Sequence, residues 1–160
     1  MTTYTSTPLF GGALIVDLPS NFADVSANRG STIRQVPDHQ EVYLDKDGFT
    51  SIIFDITERL MPPSEHTPAY TLIATQTPPP QPGSTSPDFT AIVLTLIRLE
   101  QESTDILVTI NVPHIQGEYT VEEVDMQMGK QGRLIESAVE HAAKIWETFK
   151  IKDWGLFNEV

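Results

Sequence analysis

Asp38, Gln40, Glu41, Asp55 and Glu58, clustered within residues 38–58, are of the types that recognition or acid–base chemistry uses. Neighbouring carboxylates can shuttle a proton or grip a basic side chain. Which they do depends on whether they share a face and how deeply they are buried. From the residues alone, the commonest outcome of such a cluster is a solvated acidic surface that keeps the protein soluble.

The element that must position them is the stretch 33–60, IRQVPDHQEVYLDKDGFTSIIFDITERL, which reads as two strands around a tight turn. Residues 40–44 and 49–56 are rich in β-branched and aromatic types. Between them Asp45-Lys46-Asp47-Gly48 supplies a turn, with Gly48 expected at positive φ. Alternation puts Ile52, Phe54 and Ile56 on one face and Ser51, Ile53, Asp55 and Thr57 on the other, so Asp55 is expected opposite the main core face. Glu58 points the same way as Asp55 only if the strand gives way to a turn or helix near Thr57. Their pairing is therefore expected as a junction feature. Arg34 is a candidate counter-charge for these carboxylates rather than a catalytic group.

Composition narrows the partners. With 22 acidic against 10 basic residues the net charge is -12, which disfavours nucleic acid and anionic membranes and favours a basic protein surface. The chain has no cysteine, hence no disulfide framework, thiolate metal site or cysteine nucleophile. His39, His66, His114 and His141 are scattered without an HxH or HExxH pair, so no metal is expected. No GxSxG marks a serine hydrolase. The start, MTTYTSTPLF, lacks a basic n-region and a long apolar run, and no apolar stretch approaches the ~20 residues of a membrane helix. A soluble intracellular protein without membrane association is expected. At 160 residues and 39% hydrophobic, one domain can bury roughly 70% of its unfolded surface, and residues 1–160 are expected as a single domain.

Taken in order, residues 1–7 are polar and expected to fray, and 9–18 alternates well enough for a first strand. Gly11-Gly12 at its start is a bulge or close approach rather than a phosphate loop. Residues 19–26 read as a turn or one helical turn. After the central hairpin, 69–75 reads as a strand and 77–88, TPPPQPGSTSPD, as a proline-rich connector. Residues 91–99 and 106–112 form a second hairpin, and the first of these strands, apolar on both faces, is expected to be interior. Thr120 with Glu123 can open a short helix through a capping box. The surest helix begins near Leu134, where Leu134, Ala138, Ala142, Ile145 and Phe149 form a stripe expected to cover Ile52, Phe54 and Ile56.

The segments LFGGALIVDLPSNFADVS, RQVPDHQEVYLD and SIIFDITE, in this order and spacing, resemble the amino-terminal half of the Mog family of Ran-GTPase-binding nuclear import factors. LTLIRLEQESTDILVTINVP resembles the family's second block, and DWGLF its usual ending, so the resemblance covers most of the chain. His39 stands where the family usually has Asn, and 27–32 reads as a small insertion. Between 60 and 69 the family carries a helix and a further strand where this chain has only MPPSEHTP. Three prolines forbid a helix interior there, so a loop is expected, with exposed apolar surface where the helix is missing.

The resemblance implies an α/β (α+β) protein: a curved, mainly antiparallel sheet covered by the C-terminal helix and loops, a Mog and PsbP-like sandwich lighter by one helix. It implies binding of a Ran-type small GTPase and release of its guanine nucleotide in support of nuclear protein import. Also implied are a monomer in nucleus and cytoplasm, no chemistry of its own, no catalytic residue, no metal and no cofactor. The family's acidic Ran-binding positions fall on Asp55 and Glu58, and its VPDNQEV motif on Asp38, Gln40 and Glu41. The alternative class is a non-catalytic adaptor or assembly protein of the PsbP-like fold without GTPase binding.

Overall fold

The computed structural model describes residues 2–26, 39–58, 69–79, 86–99 and 102–157. Strands β1 (Tyr4–Leu9), β2 (Leu14–Pro19) and β9 (Lys150–Ile151) make a three-stranded sheet in the order β1-β2-β9. Strands β3 (Phe22–Asp24), β4 (Gln40–Asp45), β5 (Ser51–Glu58), β6 (Ala69–Gln76), β7 (Phe89–Leu99) and β8 (Thr104–His114) make a six-stranded sheet in the order β3-β4-β5-β8-β7-β6. All of these pairings are antiparallel. One helix, α1 (Gly132–Thr148), packs on them.

The first strand expected from the sequence is in fact a hairpin that includes the residues expected to fray. Tyr4 to Leu9 pair residue for residue with Pro19 to Leu14. The chain reverses through Phe10, Gly11 and Gly12, at φ of 50°, 71° and 94°. Three successive residues in the left-handed region need glycine wherever possible, which is what the glycine pair supplies. Beyond it, the turn expected within 19–26 forms at Ser20 and Asn21 and leads not into a helical turn but into the short strand β3.

In the central hairpin Gly48 is not at positive φ. Asp45 holds the turn instead: its Oδ1 accepts from the Asp47 N–H at 2.9 Å and from Asn21 Nδ2 at 2.8 Å. A Cβ at position 48 would stand 2.9 Å from Asp45 Oδ2, so the glycine serves a close approach to that carboxylate. Similarly, the turn at Val121–Glu123 has no side-chain cap, and Asp125 caps the next turn by accepting from the Gln127 and Met128 N–H groups.

The core lies between the two sheets and α1. Ile52 and Phe54 of β5, Ile106, Val108 and Ile110 of β8, and Val93 and Ile97 of β7 join Leu14 and Val16 of β2 and the stripe Ile135, Ala138, Ala142 and Ile145 of α1 in one buried cluster. A fully buried side chain of this size contributes about 1.5–3 kcal/mol. The helix finds its principal neighbours in β2, β8 and β7, and Ile52 and Phe54 of the β4–β5 hairpin lie in the same buried cluster as its stripe. Strand β7 is interior as expected, and it buries four consecutive residues, Thr95 to Arg98. The stretch 61–68, where the missing element was expected, and the insertion at 27–32 lie outside the described residues.

Candidate partner-binding site

Gln40 and Asp55 are direct cross-strand partners at the open end of the β4–β5 hairpin. Side chains opposite one another lie on the same face, and here the contact is made: Gln40 Nε2 donates to Asp55 Oδ2 at 2.9 Å. The backbone ladder runs one residue further, with the Ile56 N–H donating to the His39 carbonyl at 2.9 Å. That fixes His39 beside the carboxylate, with its Nε2 3.6 Å from Asp55 Oδ1. The His39 side chain is 57% exposed and that of Asp55 20%. Asp55 Oδ1 is buried without a hydrogen-bond partner. Asp55 thus lies away from the main core face, as alternation requires.

Glu58 is placed differently from the expectation. Strand β5 does not give way near Thr57 but stays in register with β8 through Thr57↔Asp105 and Glu58↔Thr104. Three residues along an unbroken strand is an odd number, so Asp55 and Glu58 point to opposite faces. Glu58 is exposed at the strand's last position. The two carboxylates cannot therefore act as an acid–base pair on one substrate atom, because each partner must be within hydrogen-bond reach of the same proton.

Glu41 turns inward. It is 9% exposed, its Oε1 accepts from the Phe10 N–H at 2.7 Å and its Oε2 from the Tyr43 hydroxyl at 3.3 Å. Its carboxylate thereby ties the left-handed turn at Phe10 to the central hairpin. Burial, then the nearby Glu41 charge, pushes the Tyr43 hydroxyl well above the usual phenol range, so it stays a donor. Asp38 and Arg34 lie outside the described residues. Of the five candidates, the structure brings Gln40 and Asp55 together, sets Glu58 at the same strand end on the other face, and commits Glu41 to contacts within the fold.

Two placements follow from strand geometry. His39, a departure from the family's Asn and a histidine without a ligand pair in the sequence, is set by hairpin register next to Asp55's strand position. Glu41 shares parity with Tyr43, which alternation could have used to assign it to the inner face.

Elsewhere, a cavity of about 310 Å³ near the start of α1 is lined by His114, Tyr119, Glu123, Arg133 and Ser137 among others, and shares no residue with the hairpin site. Among the described residues no three histidine or carboxylate side chains gather in a way that could hold a metal ion.

Antiparallel sheets closed by one C-terminal helix are the architecture of a Mog-type fold. The chain belongs to the Mog1 family, described as Ran-interacting Mog1 protein, whose family model matches residues 7–67 and 59–113. It is similar to the crystal structure of the Ran-binding protein Mog1p of Saccharomyces cerevisiae, with a TM-score of 0.67, 25% identity, and coverage of 98% of this chain and 100% of that one. A mutant of protein Mog1 superposes with a TM-score of 0.66. The nuclear import protein mog1 of Schizosaccharomyces pombe is 41% identical over 56 residues, 34% of this chain and 27% of that protein. The Ran guanine nucleotide release factor of Danio rerio is 43% identical over 53 residues, 33% of this chain and 26% of that protein. The chain thus aligns with about a quarter of the length of these curated relatives.

Proposed function

We propose that the protein binds a Ran-type small GTPase through the acidic end of the β4–β5 hairpin, promotes release of its bound guanine nucleotide, and so supports nuclear protein import, working in nucleus and cytoplasm. Membership of a Ran-interacting family supports the partner. The observation that carries the site is Asp55, whose Oδ2 is oriented by Gln40 while its Oδ1 has no donor. A positioned carboxylate with one unsatisfied oxygen gains a charge-assisted bond when a lysine or arginine reaches it. Glu58, exposed at the same strand end, adds to the field that steers a basic surface toward it.

The protein makes and breaks no bond. A factor that binds the nucleotide-free GTPase more tightly than the loaded one must, by reciprocal linkage, weaken nucleotide binding to the same degree. It acts as a single copy and needs no cofactor.

The test is release of a fluorescent guanine nucleotide from purified Ran with and without the protein. Acceleration is expected, and charge reversal at Asp55 and Glu58 should abolish it with the fold intact. Matched reversals at Glu136 and Glu147, exposed on α1, should leave release nearly unchanged. Equal loss in both variants at about 0.15 M salt would leave only bulk acidity, and no acceleration by the wild-type protein would leave the adaptor reading instead.

A further inference from the structure

We propose that His39 is a proton-operated gate over Asp55: its neutral ring leaves Oδ1 to an incoming basic side chain, and its protonated ring takes that oxygen itself. The inference rests on the reading of Asp55 as a contact for a basic partner.

The two oxygens of Asp55 are unequal. Oδ2 has a donor in Gln40 at 2.9 Å. Oδ1 is buried with no hydrogen-bond donor, and His39 Nε2 stands against it at 3.6 Å, beyond the roughly 3.2 Å limit of an N–H···O bond. A ring at that distance stands against the oxygen without satisfying it. Two consequences follow. A partner's ammonium or guanidinium reaches Oδ1 only after the ring swings aside, and a ring that gains a proton needs to close only a few tenths of an ångström to make a charge-assisted bond.

The ring is free to do either. The His39 backbone is pinned by its carbonyl's bond to the Ile56 N–H, but its side chain is more than half exposed, so the motion is confined to side-chain torsions. Among the described residues, Asp55 on β5 is the charged group recorded against the ring. On β4 itself Gln40 is neutral, and the Glu41 carboxylate is turned to Phe10 and Tyr43. Imidazole changes charge within the physiological pH range. A proton on His39 and a cationic partner on Asp55 therefore exclude one another, and each weakens the other by the same factor.

The experiment measures binding of nucleotide-free Ran at about pH 7.5 and about pH 5.5, which bracket the imidazole range, for the wild type and for His39→Gln. Titration of groups on Ran enters both proteins equally and cancels. Affinity of the wild type should fall about five- to tenfold more than that of the variant over this interval, and identical pH dependence overturns the gate. A second arm needs no partner. At the lower pH the His39 imidazole N–H should be visible and slow to exchange in the free protein, and lost in Asp55→Asn. An imidazole N–H equally fast in both proteins also overturns the proposal. If Ran binds at neither pH, the partner reading falls and the imidazole arm decides whether the ring closes on Oδ1.

Discussion

Arg98 of β7 and Asp105 of β8 stand directly opposite one another, and the guanidinium grips the carboxylate through Nε to Oδ1 at 2.9 Å and Nη2 to Oδ2 at 3.0 Å, with both side chains almost wholly out of solvent. The pair lies on the same sheet face as Asp55, since Asp105 is the cross-strand partner of Thr57. Removing the guanidinium takes two charge-assisted bonds from a buried carboxylate. Arg98→Met alone should destabilise by about 3–5 kcal/mol, and Arg98→Met combined with Asp105→Leu by much less. Denaturant unfolding of the three proteins checks this, and a double variant as unstable as the single one would refute the charge argument.

Ile145 is 1% exposed in the cluster that joins α1 to both sheets. Ile145→Ala should lower stability by about 2–5 kcal/mol, through lost transfer energy and the cavity left behind. An unchanged urea midpoint would place α1 off the sheet.

His114 and His141 are both buried, and burial lowers both imidazole pKa values below the ordinary range. A neutral folded imidazole means that the unfolded chain binds more protons as pH falls below about 6.5, so stability is full above that value and is lost as pH drops toward the lowered folded values. Urea midpoints measured from neutral pH downward should decline across this window. The decline should be shallower in a variant with His114→Asn and His141→Gln.

Glu41 and Gln40 are neighbours with opposite duties. Glu41→Ala removes the acceptor that fixes the Phe10 N–H and should cost about 1–3 kcal/mol of stability. Gln40→Ala should leave the unfolding midpoint almost unchanged and weaken binding to Ran by releasing Asp55 Oδ2. Parallel unfolding and binding measurements on the two variants separate the roles.

Strand β6 is the last strand of the larger sheet among the described residues and carries no charge, and Leu72 is 59% and Tyr70 44% exposed. Exposed apolar side chains on an uncharged edge favour association. Leu72→Lys should reduce apolar dye binding and light scattering with stability within about 0.5 kcal/mol of wild type.

Local periodicity carries information about faces, and the sequence was informative where a face decided the outcome. Alternation along β5 placed Asp55 opposite Ile52 and Phe54, and the 3.6-residue stripe placed Ala138, Ala142 and Ile145 on the buried side of α1. Even the inward turn of Glu41 was present in its shared parity with Tyr43. Periodicity says nothing about which distant strand completes a ladder. The β5 strand runs on to Glu58 because residues 104 to 107, nearly fifty positions later in the chain, supply its partners, and that pairing is what sends Asp55 and Glu58 to opposite faces. The same holds for the helix, whose stripe was legible but whose seat over β2, β8 and β7 was not. The grip of Arg98 on Asp105 and the stand-off of His39 from Asp55 likewise depend on register between strands, which only the folded sheet sets.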